Sequence, residues 1–334
     1  MTSDAPRAAG RGLVAAWDRH QVPLFLAALV LGGVVGLSAP RLAPSLEHAI
    51  EPVLMLLLFA TFLAVPLGEV GRAVRDGRFL ATVLAANFVV VPVLAWALSR
   101  LVVDDRGLLL GVLLVLLTPC IDYVVVFTGL AGGARARLLA AAPLLMLLQL
   151  LLLPVLLLLL AGGDVLEVVD PAPFARAFVL LIVVPLVAAG IVQALARRRR
   201  IGRAIQAAMA AAMVPSMMAT LAVVVASQIA AVGAQATVLV RVLPLYVAFV
   251  VAALGVGVLA GRVARLDVPG TRAVILSTST RNSLVVLPLA LALPPSLGIA
   301  PLAVVAQTLV ELVALIVLVR LVPRLVPERG TAPT

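Results

Sequence analysis

The chain has 334 residues, of which 64% are hydrophobic and 12% charged, against roughly 45–50% and 25% in a soluble domain, so it reads as an integral membrane protein. Its net charge of +10 comes with only 4% aromatic residues, which argues against a nucleic-acid binder, since such proteins pair a basic face with stacking rings. All 25 basic residues are Arg, a bias typical of a GC-rich bacterial genome, and the single cysteine, Cys120, excludes a disulfide framework within the chain.

The first 20 residues are polar and carry Arg7, Arg11 and Arg19, so an uncleaved first helix is expected rather than a removable signal. Apolar runs then predict spans near 22–38, 50–67, 79–99, 107–129 and 138–161, and again near 174–195, 204–231, 239–260, 271–292 and 299–321. Stretches such as Leu108 to Leu117 and Leu144 to Leu160 are apolar on every face, whereas a membrane barrel strand alternates apolar and polar residues. The expected fold is therefore all-α and polytopic, one integral membrane unit over 1–334.

Counted by side, the N-terminal tail, the even-numbered loops and the C-terminal tail hold nineteen Arg, and the odd-numbered loops hold five. Positive-inside orientation then places both termini in the cytoplasm, at a bacterial cytoplasmic membrane. The Arg197 to Arg200 run reads as a topology determinant that also meets anionic lipid headgroups.

Five spans per half make the second half start from the opposite side of the membrane. A duplicated unit would thus form inverted repeats over 22–161 and 174–321. One ungapped alignment supports this: Thr118-Pro-Cys-Ile-Asp-Tyr-Val-Val-Val126 against Thr278-Ser-Thr-Arg-Asn-Ser-Leu-Val-Val286. Both are polar interruptions of apolar helices, the pattern that marks a substrate site built from broken helices in secondary transporters.

Asp122, Arg281 and Glu311 are the ionisable residues farthest from a predicted membrane surface. At 1.5 Å rise per residue, Arg281 lies roughly 15 Å and Glu311 roughly 18 Å along their spans, near the middle of a core about 30 Å thick. A charge there costs at least about 2.5–3.5 kcal/mol, so pairing or a wet cavity is required. Pairing of Arg281 with Asp122, Glu311 or both is expected, either as part of a transport mechanism or as a structural salt bridge. Proton exchange at Glu311 would need its hydration or its distance to Arg281 to change between states.

Cys120 stands at the break, two residues before Asp122. It is either a small packing group or, as a thiolate beside a guanidinium, a soft ligand for thiophilic metalloids. Thr118, Thr280, Asn282 and Ser283 are the candidate polar contacts to substrate at the two breaks. Gln307 and Thr308 share a helical face with Glu311, and Asn87 and Gln149 are further intramembrane polar residues. Met209, Met213 and Met217 form a stripe that reads as packing, and Gly32-x-x-x-Gly36 and Gly257-x-x-x-Gly261 as sites of close helix approach.

An enzyme is disfavoured. His20 and His48 lie near membrane surfaces, no His-Glu-x-x-His run exists, and with no lysine there is no Walker-type loop. No Ser/His pair or aligned Asp pair lies within the spans, as an intramembrane protease would need. No cofactor is called for, and the expected partners are the lipid bilayer and a small solute.

At these same residues the chain resembles the bile acid:sodium symporter superfamily, and within it the arsenite permeases and arsenic resistance proteins. The resemblance is carried by Leu117-Thr-Pro-Cys-Ile-Asp-Tyr-Val-Val-Val-Phe-Thr-Gly-Leu-Ala131, by Arg281-Asn-Ser-Leu284 and by Leu309-Val-Glu-Leu312. It implies ten helices in a panel domain and a core domain, with the fourth and ninth broken and crossing. It also implies efflux of trivalent arsenic or antimony as the neutral hydroxide in exchange for protons. Cys120 and Glu311 stand where arsenite permeases carry a required Cys and Glu, so the resemblance makes Cys120 the metalloid ligand and Glu311 the proton carrier, with Asp122 and Arg281 tuning it.

Two departures stand out. Pro119, Phe127 and Thr128 replace the Arg and the Trp-Asn pair usual in arsenite permeases. Where sodium-coupled relatives carry Glu-x-Gly-x-Gln-Asn-Ser, this chain has Ser277, Ser279, Arg281, Asn282 and Ser283. A guanidinium in place of those ligands would repel Na⁺ and could attract an anion, which leaves coupled transport of a small organic anion as the alternative.

Overall fold

The computed structural model describes residues 17, 21–65, 75–121, 123–162, 176, 178–234 and 236–328. Asp122 lies outside them. The described residues are helical almost throughout, as apolar runs in a membrane require, because a helix satisfies its own backbone groups. In chain order the helices are α1 (Gln21–Ser38), α2 (Ala43–Ala64), α3 (Gly77–Ala85), α4 (Val91–Ser99), α5 (Arg106–Leu116), α6 (Tyr123–Leu130), α7 (Arg135–Ala161), α8 (Val184–Arg198), α9 (Arg200–Ala234), α10 (Ala236–Val263), α11 (Val268–Ser279), α12 (Ser283–Leu291) and α13 (Ala300–Leu325). A π-helical turn, Ala86–Val90, joins α3 to α4, and another, Val179–Val183, leads into α8. Among the described residues five helical stretches are long and apolar enough to cross a membrane: 77–102, 135–161, 200–227, 240–263 and 300–325.

The chain divides into two compact units, and each draws a segment from either half of the sequence. Residues 1–64 and 178–236 form one, and 65–177 with 237–334 form the other.

In the first unit α9 packs along α1 and α2, and α8 packs against α2 and α9. Leu54, Leu57, Leu58 and Phe62 of α2 are buried with Ala189 of α8 and Met217 and Leu221 of α9. The Met stripe thus ends in this core as packing. A Cβ at Gly32 would stand 2.6 Å from the Ala222 carbonyl oxygen, so the first small-residue motif brings α1 onto the α9 backbone.

The second unit is organised around α5, α11, α12 and α13. The last of these packs against the other three, and α5 also meets α4 and α7. Three acidic caps begin its helices: Asp76, Asp105 and Asp267 accept from the backbone N–H of Phe79, Leu108 and Gly270, occupying donors that a helix start leaves orphaned. Arg137 ties two of these caps together, its Nη1 2.6 Å from Asp267 and its Nε 3.2 Å from Asp76. Asp104 accepts from Arg241 at 2.5 and 2.9 Å, and that guanidinium holds the Asp104 carboxyl below its ordinary range.

Near the start of α11, Arg272 donates through Nη1 to the carbonyls of Ala131 and Gly132 and through Nε to that of Val326. The second small-residue motif serves α11 as well, since a Cβ at Gly257 would lie 2.5 Å from Ile275 Cα. Gly257→Val is expected to push α10 away from α11 and lower stability by roughly 1–3 kcal/mol, the usual cost of overpacking. Thermal unfolding of the purified protein checks this.

Candidate functional site

Helix α5 stops at Leu116 and α6 resumes at Tyr123. Pro119 explains the stop: it has no N–H to give and restricts the residue before it to extended backbone. Thr118 donates its hydroxyl back to the Leu114 carbonyl at 2.8 Å, closing the last turn. The second break has the same form. α11 ends at Ser279, Thr280 is extended at φ −114°, ψ 140°, and its hydroxyl donates to the Leu276 carbonyl at 2.8 Å.

The two extended stretches cross and pair. Pro119 lies opposite Arg281 in an antiparallel bridge. The Cys120 N–H donates to the Thr280 carbonyl at 3.3 Å and the Asn282 N–H to the Thr118 carbonyl at 2.8 Å. Backbone groups released by each broken helix are therefore satisfied by the other, as a non-helical segment at membrane depth requires. Beyond the crossing, Asn282 caps α12, its Oδ1 accepting from the Val285 N–H at 3.3 Å. Ser283 accepts from the Thr308 hydroxyl of α13 at 2.8 Å.

Three chemically distinctive side chains meet this crossing. Cys120 is fully buried. Glu311, 1% exposed, accepts the Arg281 backbone N–H at 2.7 Å through Oε2, which also takes a very short hydrogen bond from Gln307 Nε2. Glu311 thus anchors the crossing itself through a hydrogen bond to the Arg281 main chain; sequence reasoning pairs the Arg281 side chain with Asp122, Glu311 or both. The expected partner Asp122 falls outside the described residues.

The Arg281 guanidinium, 0% exposed, is held by oxygens. Its Nη2 donates to Asn87 Oδ1, to the Ser277 carbonyl and to the Thr278 carbonyl, each at 2.8 Å. Its Nη1 donates to the Leu116 carbonyl at 3.3 Å, and the Phe249 ring centre lies 5.5 Å from Cζ. Asn87 in turn donates to Ser277 Oγ and to its own helix at Val83, both at 3.0 Å.

The structure therefore brings Thr118, Cys120, Thr280, Arg281, Asn282, Ser283 and Glu311 into one region of the second unit. Thr118 and Thr280 hydroxyls donate within their own helices and Asn282 caps α12, so these three first of all hold the crossing in shape. Gln307 Oε1 and Ser279 Oγ are buried and make no hydrogen bond to the described residues. Gln149 is buried on α7, and its Oε1 accepts no hydrogen bond from the described residues. The Leu116, Ser277 and Thr278 carbonyls and the Phe249 ring are the parts sequence reasoning missed. Asn87 was legible as an intramembrane amide, but its partner was not.

A helical membrane protein whose two interrupted helices cross through paired backbone, beside buried ionisable groups, belongs to the class of secondary transporters. More particularly, the chain belongs to the sodium bile acid symporter family, whose model matches residues 51–236, including the first break and Cys120. No curated protein matches the chain. It is a multi-pass membrane transporter of that family.

Proposed function

We propose that this transporter exports trivalent metalloid, arsenite or antimonite, in exchange for protons across a bacterial cytoplasmic membrane with both termini inside. In this reading ten spans form two inverted five-helix repeats, 22–161 and 174–321, and the crossed breaks carry the substrate. The observation that carries the proposal is the fully buried Cys120 thiol at the crossing whose backbone Glu311 anchors.

A thiol takes up the neutral trihydroxide by ligand exchange. The sulfur–arsenic bond forms as one arsenic–oxygen bond breaks, and the thiol proton leaves with that hydroxide as water, with no change of oxidation state. One thiol gives weak, reversible binding, as transport demands, whereas three would trap the metalloid. Thr118, Thr280, Asn282 and Ser283 line the site as polar contacts. Glu311 carries the exchanged proton, and Asp122 and Arg281 tune it. The alternative substrate, a small organic anion bound by Arg281, would have to draw the guanidinium away from the four oxygen acceptors that hold it.

The test is arsenite accumulation in exporter-deficient cells expressing wild type or Cys120→Ser at equal membrane levels. Wild type is expected to lower accumulation and the variant to leave it at the level of empty cells. If wild type gives no lowering, the metalloid reading is wrong, and sodium-dependent or proton-dependent uptake of organic anions becomes the reading to test.

A further inference from the structure

The family's name implies a sodium ion, so the oxygens at the crossing can be asked whether they would hold one. Four surround the Arg281 guanidinium: the carbonyls of Ser277 and Thr278 and Oδ1 of Asn87 at Nη2, and the carbonyl of Leu116 at Nη1. Leu116 ends α5, and Ser277 and Thr278 lie in the last turn of α11. These carbonyls are among those a helix end leaves without an intrahelical partner, and they carry the negative end of its dipole. A buried ring of neutral oxygens at two helix C-termini is the environment that replaces the hydration shell of a small monovalent cation. In this chain a cation is already in it. The Arg281 guanidinium, wholly buried, donates to all four oxygens at 2.8–3.3 Å and packs beside the Phe249 ring.

We propose that this oxygen cage is a monovalent-cation site filled in cis by the Arg281 side chain, so that the protein binds no sodium there and sodium does not couple its transport. A free cation entering the cage would have to displace a guanidinium tethered at the crossing and then sit beside its charge. Among the described residues Asn87 supplies a side-chain oxygen to the cage, and so Asn87 and Arg281 together set the choice of coupling ion. The proposal extends the transporter reading to the ion but does not depend on the metalloid.

The experiment is thermal unfolding of the purified full chain in detergent without transport substrate. NaCl, LiCl and low-millimolar guanidinium chloride are each titrated against choline chloride at constant ionic strength. Wild type is expected to unfold at the same temperature in all four salts. Arg281→Ala is expected to unfold lower in choline and to regain several degrees, saturably, with guanidinium or Na⁺.

Arg281→Gln, which keeps an amide donor in the cage but no charge, is measured in parallel in case the alanine variant does not fold. A saturable Na⁺ response in wild type overturns the proposal. So does the absence of any cation response in a folded Arg281 variant. Because the readout is binding without substrate, its failure and a failure of the metalloid assay are separately visible.

Discussion

Glu311→Gln is expected to fold normally and to lose uphill transport. The amide keeps an oxygen that can accept the Arg281 backbone N–H, now at 2.7 Å from the carboxylate, so the crossing keeps its anchor. What the variant lacks is a group that can take up and release a proton. Exchange of a neutral solute for one proton moves one elementary charge, and a potential of 100 mV then contributes about 2.3 kcal/mol, roughly fifty-fold in concentration ratio.

Everted vesicles with wild type should accumulate arsenite above the outside concentration and lose that excess on addition of a protonophore. Glu311→Gln vesicles should equilibrate to the outside concentration and ignore the protonophore. An amide variant that still concentrates arsenite would remove Glu311 from the coupling step. Glu311→Leu separates anchoring from coupling: it leaves the buried Arg281 N–H without its acceptor, so it should also lose stability, by about 1–3 kcal/mol.

Asn87→Leu is expected to be the most destabilising single change near the crossing that leaves every charge in place. Leucine keeps asparagine's branching at Cγ but offers neither an acceptor nor a donor. Arg281 loses one of its oxygens at 2.8 Å and Ser277 Oγ its donor at 3.0 Å. Removing one neutral acceptor from a buried cation that keeps its other oxygens costs about 1–3 kcal/mol. Thermal unfolding in detergent measures it. Asn87→Asp is the control: a carboxylate can accept from Arg281 and Ser277 can donate to it, so this variant should retain most of the lost stability. Equal losses in both variants would mean that the cage does not depend on Asn87 as an acceptor.

Much of this architecture is legible in the residues alone. Apolar runs of helical length, unbroken on every face, define the class, because a bilayer accepts a spanning chain only with its backbone satisfied. The breaks are legible too: Pro119 cannot continue α5, and the aligned polar stretches at Thr118 and Thr278 depart from otherwise apolar helices. Cys120, Arg281 and Glu311 stand out because a lone thiol and buried charges are rare in such a composition, and the structure gathers all three at one crossing.

Other features exist only in three dimensions. The helices of 21–64 pack with those of 178–234, a pairing that depends on how apolar faces fit and leaves no mark in local periodicity. The charge balance at the crossing is the clearest case. Sequence reasoning pairs Arg281 with Asp122, Glu311 or both, since carboxylates are the side chains that advertise a negative charge; Asp122 lies outside the described residues. Among the described residues the Arg281 guanidinium lies on the carbonyls of Leu116, Ser277 and Thr278 and on Asn87, and the Glu311 carboxylate accepts a main-chain N–H. A backbone carbonyl or amide is the same group whatever residue bears it, so nothing in the sequence marks the three that close on the guanidinium. Breaking two helices and crossing them frees those groups and brings them together, and that is the work of the tertiary structure.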